Sequence, residues 1–131
     1  VNLSRDYFPF AAARQVPLLM DEFEKGPLRK HTPCNFKSLE RIIRALAEVH
    51  VEFILIHPFR EGNGRLARML STLMASQASL PVLNFKDITG RKRKEYFTAI
   101  KRGLSRDYGL MEILFEKIIE RTVKSTPVEK T

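Results

Sequence analysis

The stretch His57-Pro58-Phe59-Arg60-Glu61-Gly62-Asn63-Gly64-Arg65-Leu66-Ala67-Arg68 joins two segments of helical period. Before it, apolar residues recur at Leu39, Ile42, Ile43, Leu46, Val49, Phe53 and Ile56; after it, Leu66, Met69, Leu70, Leu73 and Met74 repeat the pattern. Between them, Pro58 disfavours helix at the preceding residue, and Gly62 and Gly64 permit positive φ. The reading is helix, tight loop, helix, within a helical bundle.

The loop carries chemistry. Glycine-rich backbone lets successive N–H groups turn inward into a concave anion nest. The following helix starts near Gly64, so its free N–H groups and positive dipole end face the same point. Arg65 and Arg68, three apart, share a helical face, and their forked guanidinium groups suit phosphate oxygens. Glu61 adds a hard carboxylate of the kind that holds Mg²⁺ while leaving its other positions to water and phosphates. His57 suits a general base, since the reference pKa of a histidine lies near 6.5. Each feature alone has a plainer explanation: an ordinary turn, a helix-capping histidine, a solvated arginine face. Phosphate grip, metal anchor and base together, in this order, indicate transfer from a nucleotide.

The stretch resembles the Fic motif, His-Pro-Phe-x-(Asp/Glu)-Gly-Asn-Gly-Arg-x-x-Arg, at every specified position. A weaker likeness extends from about Pro9 to Lys117. The resemblance implies an all-α fold: a compact Fic-type bundle with a helix–loop–helix active site and a small β flap near the N-terminus. It implies transfer of AMP from ATP to a Tyr, Thr or Ser hydroxyl of a target protein, with Mg²⁺ as cofactor and pyrophosphate leaving. By the same resemblance His57 deprotonates the target hydroxyl and Glu61 binds Mg²⁺. Gly62, Asn63 and Gly64 form the anion hole for the α- and β-phosphates, and Arg65 and Arg68 hold the β- and γ-phosphates. Phe59 points into the core and anchors the loop, and Tyr96 is the candidate for contact with the base, with core packing as its alternative role. Phosphate-transferring relatives of the Doc type commonly carry Lys where this chain has Gly64, which favours nucleotidyl transfer.

The 131 residues suffice for one domain with a single core, and residues 1–131 are read as one Fic-like domain. Val1 is not an initiator Met, so a fragment of a longer chain is expected. No apolar run approaches a membrane span and no secretory signal is visible. The single cysteine, Cys34, excludes an internal disulfide and fits a reducing cytoplasm; nothing beside it in sequence activates it. The net charge of +8 concentrates between Lys86 and Lys94 and at Lys101-Arg102. No nucleic-acid motif accompanies it, so a solvated face or a protein-docking patch is the expected role.

Taken in order, Val1 to Phe8 is strand-like and falls where the second half of a Fic flap would lie, pairing with the target segment; a frayed terminus is the alternative. A first helix is expected from about residues 11–15 to Lys25, with Pro17 in its first turn and Gly26-Pro27 stopping it. His31 is expected to be exposed. Ser38 is a plausible N-cap of the central helix, ending near Ile56, and His50 reads as a packed or interhelical histidine, with a second site histidine as the alternative. The second central helix is expected to end near Ser79. Val82 to Gly90 reads as a connection, followed by a helix with an apolar face of Tyr96, Phe97, Ile100 and Leu104. A last helix runs from about Leu110 to Val123, burying Leu110, Ile113, Leu114 and Ile118, and residues 125–131 are expected to be a disordered tail.

Many Fic proteins carry an inhibitory helix with a (Ser/Thr)-x-x-x-Glu-(Gly/Asn) pattern. Ser125 to Glu129 has the first spacing, but Lys130 follows and Pro127 would break a helix. The resemblance implies a protein substrate at the flap as partner, and three alternatives for inhibition: a segment upstream, an antitoxin in trans, or none. The expected compartment is the cytoplasm, of this cell or of a host reached by secretion. The alternatives are transfer of UMP, GMP, phosphocholine or phosphate on the same fold, removal of AMP, and a non-catalytic basic binding module.

Overall fold

A computed structural model describes residues 2–5, 8–89 and 93–126, with side chains described from Arg14 onward. Residues 127–131, most of the expected tail, and residues 90–92, within the basic stretch, lie outside them.

The central helix α3 (Leu39–Ile56) organises the rest. Ser38 caps it: the backbone is extended there and its hydroxyl accepts from the Arg41 N–H at 3.1 Å. Ala45, Leu46, Ala47, Val49 and Val51 are almost wholly buried, so α3 is enclosed on several sides along its middle. It packs against α4 (Asn63–Gln77) and α7 (Gly109–Ser125), and more lightly against α1 (Val16–Phe23) and α6 (Arg93–Arg102). Phe115, Met111 and Ile118 of α7, Met74 of α4 and Ile100 of α6 complete the core. Gly103 lets the chain after α6 approach α3 closely, since a Cβ there would collide with the Val51 side chain. No helix among the described residues is long and apolar enough to cross a membrane.

At the N-terminus β1 (Asn2–Arg5) and β2 (Phe8–Ala12) pair antiparallel, Asn2 opposite Ala12 and Arg5 opposite Phe8, with an irregularity between Asn2 and Ser4. β2 lies against α3. The extended backbone thus runs on to Ala12, and a single 3₁₀ turn at Ala13–Gln15 leads into α1, where Pro17 occupies the first turn as expected.

Four local expectations change. Gly26-Pro27 does not stop the chain: a π-helical turn, Glu24–Leu28, carries it into the short α2 (Arg29–His31). The widened turn accommodates a proline that an α-helix would reject. His31 is buried, not exposed: Arg41 donates to its Nδ1 at 3.0 Å, so Nε2 carries the proton and donates to Glu48 at 3.1 Å. Residues 86–89 form a short helix, α5 (Lys86–Thr89), whose Asp87 receives a two-pronged hydrogen bond from Arg121 of α7 at 3.0 Å on both oxygens.

The fourth change concerns helix faces. α4 buries Ala67, Ser71, Met74 and Ala75, and leaves Leu66, Met69 and Leu73 exposed. The small residues at 67, 71 and 75 lie four apart and let α4 sit close on α3, so packing rather than hydrophobicity chose the face. In the same way α6 exposes Phe97, and the 3₁₀ turn after it, Gly103–Ser105, exposes Leu104; α7 exposes Leu110 and Ile113 while burying Met111, Leu114, Phe115 and Ile118.

Candidate active site

The site is the junction of α3 and α4. α3 ends at His57, whose backbone is left-handed (φ 52, ψ 58) and whose N–H closes on the Phe53 carbonyl at 3.2 Å. Left-handed backbone at a non-glycine residue costs about 1 kcal/mol or more and is common where function requires a particular direction. Pro58 follows and prevents α3 from continuing. The candidate base is thus the residue at which the chain turns off the helix, half-buried at the mouth of the loop.

The loop is held by Asn63. Its carboxamide oxygen accepts from the Phe59 N–H at 3.0 Å and its NH₂ donates to the Phe59 carbonyl at 2.6 Å. One nearly buried side chain thus satisfies both backbone groups of one residue four positions earlier. Gly62 takes a left-handed conformation (φ 83, ψ 7) as the N-cap of α4. The first intrahelical bond runs from the Leu66 N–H to the Gly62 carbonyl at 3.0 Å. The N–H groups of Asn63, Gly64 and Arg65 therefore precede the helical ladder and point out of the helix N-terminus, where anions bind.

Both arginines fold back toward that terminus, the direction helical side chains favour. A terminal nitrogen of Arg65 lies 3.5 Å from where a Cβ on Gly62 would stand, and one of Arg68 lies 3.2 Å from the same point on Gly64. The glycines leave room that the guanidinium groups line, so backbone N–H groups and two cations converge on one patch. Arg65 is exposed and Arg68 half-buried. Glu61 is exposed on the loop. No group of three or more His, Cys, Asp or Glu side chains suited to a metal occurs among the described residues. The donor set fits an ion that takes one carboxylate from the protein and its remaining ligands from phosphate and water, as Mg²⁺ does at nucleotides.

One expected role is corrected, and one residue takes its alternative role. Phe59 is 52% exposed, so its ring does not anchor the loop in the core; the Asn63 clamp on its backbone holds the loop instead. Tyr96 is turned inward: its hydroxyl is 2.7 Å from His50 Nε2 and its ring packs edge-on to His50. The half-buried ring thus packs against the core, the alternative role expected for it. His50 is the packed histidine expected, 1% exposed, with its ring also edge-on to Phe115 and its Nδ1 3.3 Å from the Ser71 hydroxyl. Burial, and next the nearby Arg68 cation, push its pKa down to about 3 against the opposing Ala67 carbonyl, so the ring is neutral at neutral pH. Burial likewise raises the Tyr96 phenol, with Arg68 and Arg93 opposing. Cys34 is buried and free, and burial pushes its thiol up, as befits an unreactive structural cysteine.

The Asn63 clamp, the left-handed His57 and the His50 contacts were absent from the sequence reading of these residues. A left-handed non-glycine leaves no sequence signal, whereas the four-residue spacing of Phe59 and Asn63 could have suggested the clamp.

Among solved structures, the chain is similar to the BepC protein of Bartonella tribocorum, a VirB-translocated effector crystallised with bound AMPPNP. The two are 26% identical with a TM-score of 0.73; the match covers 89% of this chain and 55% of that one, so this chain spans about half the length of BepC. The Fic/DOC family model matches residues 1–75, the ribbon through most of α4, with the whole α3–α4 junction inside it. The chain belongs to the Fic/DOC family.

Proposed function

We propose that the chain is the catalytic core of a Mg²⁺-dependent protein adenylyltransferase, which moves AMP from ATP to a Tyr, Thr or Ser hydroxyl of a target protein. The observation that carries this is the convergence at the start of α4. Three N–H groups outside the helical ladder and two guanidinium groups face one patch, with His57 and Glu61 on the connecting loop. The AMPPNP bound to BepC supports a triphosphate nucleotide as the occupant of such a patch.

In this reading the α4 N-terminus receives the phosphate oxygens, and Arg65 and Arg68 neutralise the β- and γ-phosphates. His57 accepts the target hydroxyl's proton as its oxygen forms a bond to the α-phosphorus, and the bond from the α-phosphorus to the bridging oxygen breaks. Target hydroxyl and ATP become target-O-AMP and pyrophosphate, and the proton leaves His57 to solvent. Mg²⁺, held by Glu61, would supply charge neutralisation at the phosphates. N–H donors fixed by the Asn63 clamp stabilise charge on the α-phosphate without reorganising, the largest contribution in most such sites. The β1–β2 ribbon serves as the flap on which an extended target segment adds as a further strand, and the cytoplasm, with its ATP and Mg²⁺, is the compartment of action. An inhibitory helix, upstream or in trans, is the expected partner at Arg68.

The test is labelling. ATP labelled at the α-phosphate, with Mg²⁺ and a whole-cell lysate, should give a labelled protein band or self-labelling. Chelation of Mg²⁺ or His57→Ala should abolish it, the latter by roughly 10²–10⁴-fold. Label that persists undiminished with His57→Ala would defeat the proposal.

A further inference from the structure

Behind the phosphate patch lies a buried hydrogen-bonded chain that the reaction scheme leaves unused. Tyr96 on α6, His50 on α3 and Ser71 on α4 are linked at 2.7 Å and 3.3 Å across three helices. Both ring nitrogens are thus engaged, one on α4 and one on α6. Through Ser71 the imidazole holds α4 within one turn of Arg68. Both His50 and Tyr96 feel the Arg68 cation. At its other end Arg68 reaches forward over Gly64.

We infer that the Tyr96–His50–Ser71 chain is a positioning device for Arg68, and so sets how strongly the site prefers a nucleoside triphosphate over a monophosphate. The inference rests on the adenylyltransferase reading of the site. A neutral imidazole is well suited to the task. It offers one donor and one acceptor in a fixed plane, locks three helices in register, and places no second positive charge beside Arg68. Arg65, nearer the solvent, has no such support among the described contacts, so the burden of fixed recognition falls on Arg68.

The experiment is calorimetric binding of ATP and of AMP, each with Mg²⁺, to the wild type, Tyr96→Phe and Ser71→Ala, with melting temperatures measured alongside. Ile118→Val, a core change on α7, serves as a stability control. Tyr96→Phe keeps the ring and removes the hydroxyl bonded to Nε2, so it should weaken ATP by about tenfold, the equivalent of one lost hydrogen bond, and AMP by less than about twofold. Ser71→Ala should move the ratio the same way by a smaller factor. Ile118→Val should lower the melting temperature and leave the ATP-to-AMP ratio unchanged. An unchanged ratio in Tyr96→Phe and Ser71→Ala, with folded proteins and wild-type ATP binding intact, overturns the inference alone. A wild type that binds neither nucleotide overturns the reading of the site and the inference with it.

Discussion

Replacing Asn63 by Ala should unfasten the loop, because this one side chain holds both backbone groups of Phe59. The variant removes the bonds of 3.0 Å and 2.6 Å and leaves a partly buried N–H and C=O without their partner. Each such loss costs about 1–1.5 kcal/mol net, so the pair should cost about 2–3 kcal/mol, water recovering part of it on the exposed side of the loop. For a domain of this size that is a fall in Tm of roughly 6–12 °C. ATP binding should weaken as well, since the Asn63 clamp holds the loop that leads into the α4 N-terminus. Asn63→Asp separates the two contributions. It retains the acceptor for the Phe59 N–H, but its second oxygen faces the Phe59 carbonyl and it adds a negative charge where phosphate should bind. The helix dipole offsets about 0.3–1 kcal/mol of the stability cost. Asn63→Asp should therefore melt above Asn63→Ala yet bind ATP no better. Differential scanning calorimetry and ATP titration read both quantities. An Asn63→Ala protein that melts within about 1 °C of wild type and binds ATP normally would refute the clamp as the element that forms the site.

Two further outcomes test the packing and the charge distribution. Gly103→Ala should destabilise by about 1–3 kcal/mol in denaturant titration, because its Cβ collides with Val51; adding Val51→Ala should recover part of the loss. Stability should fall as pH drops below about 6.5. The folded pKa of His50 lies near 3 and the unfolded value near 6.5, so in that window the unfolded chain binds more protons and ΔG falls by about 1.4 kcal/mol per pH unit. His31, lowered chiefly by burial, adds to the same slope, whereas Glu52 and Glu112, raised chiefly by burial, oppose it only nearer their own range. Thermal melts between pH 7 and 5.5 check this: His50→Gln should flatten the slope, and an undiminished slope would count against a buried neutral His50.

The parts of the fold legible from sequence were those with local causes. Ser38 as a cap, the long apolar period of α3, Pro58 and the two glycines each act within a few residues, and the α3–α4 junction follows from them. The face of α4 was not legible. Leu66, Met69 and Leu73 have the right period, but α3 comes too close for them, and Ala67, Ser71 and Ala75 fit instead. Nor was the burial of His31, which depends on Arg41 and Glu48 arriving from another helix. The motif positions were visible as residue types with suitable chemistry, yet their division of labour needed coordinates. Phe59 contributes its backbone rather than its ring, Asn63 spends its carboxamide on the loop rather than on a ligand, and Tyr96 faces His50.

The central claim is that the site activates the α-phosphorus with His57 as base. Parallel reactions with ATP labelled at the α-phosphate and ATP labelled at the γ-phosphate, each with wild type and His57→Ala, test it most directly. The account predicts protein-bound label from the α-position only, lost with His57→Ala. Label from the γ-position would mean phosphoryl transfer, and α-label that survives His57→Ala would mean that another group is the base; either result contradicts the account.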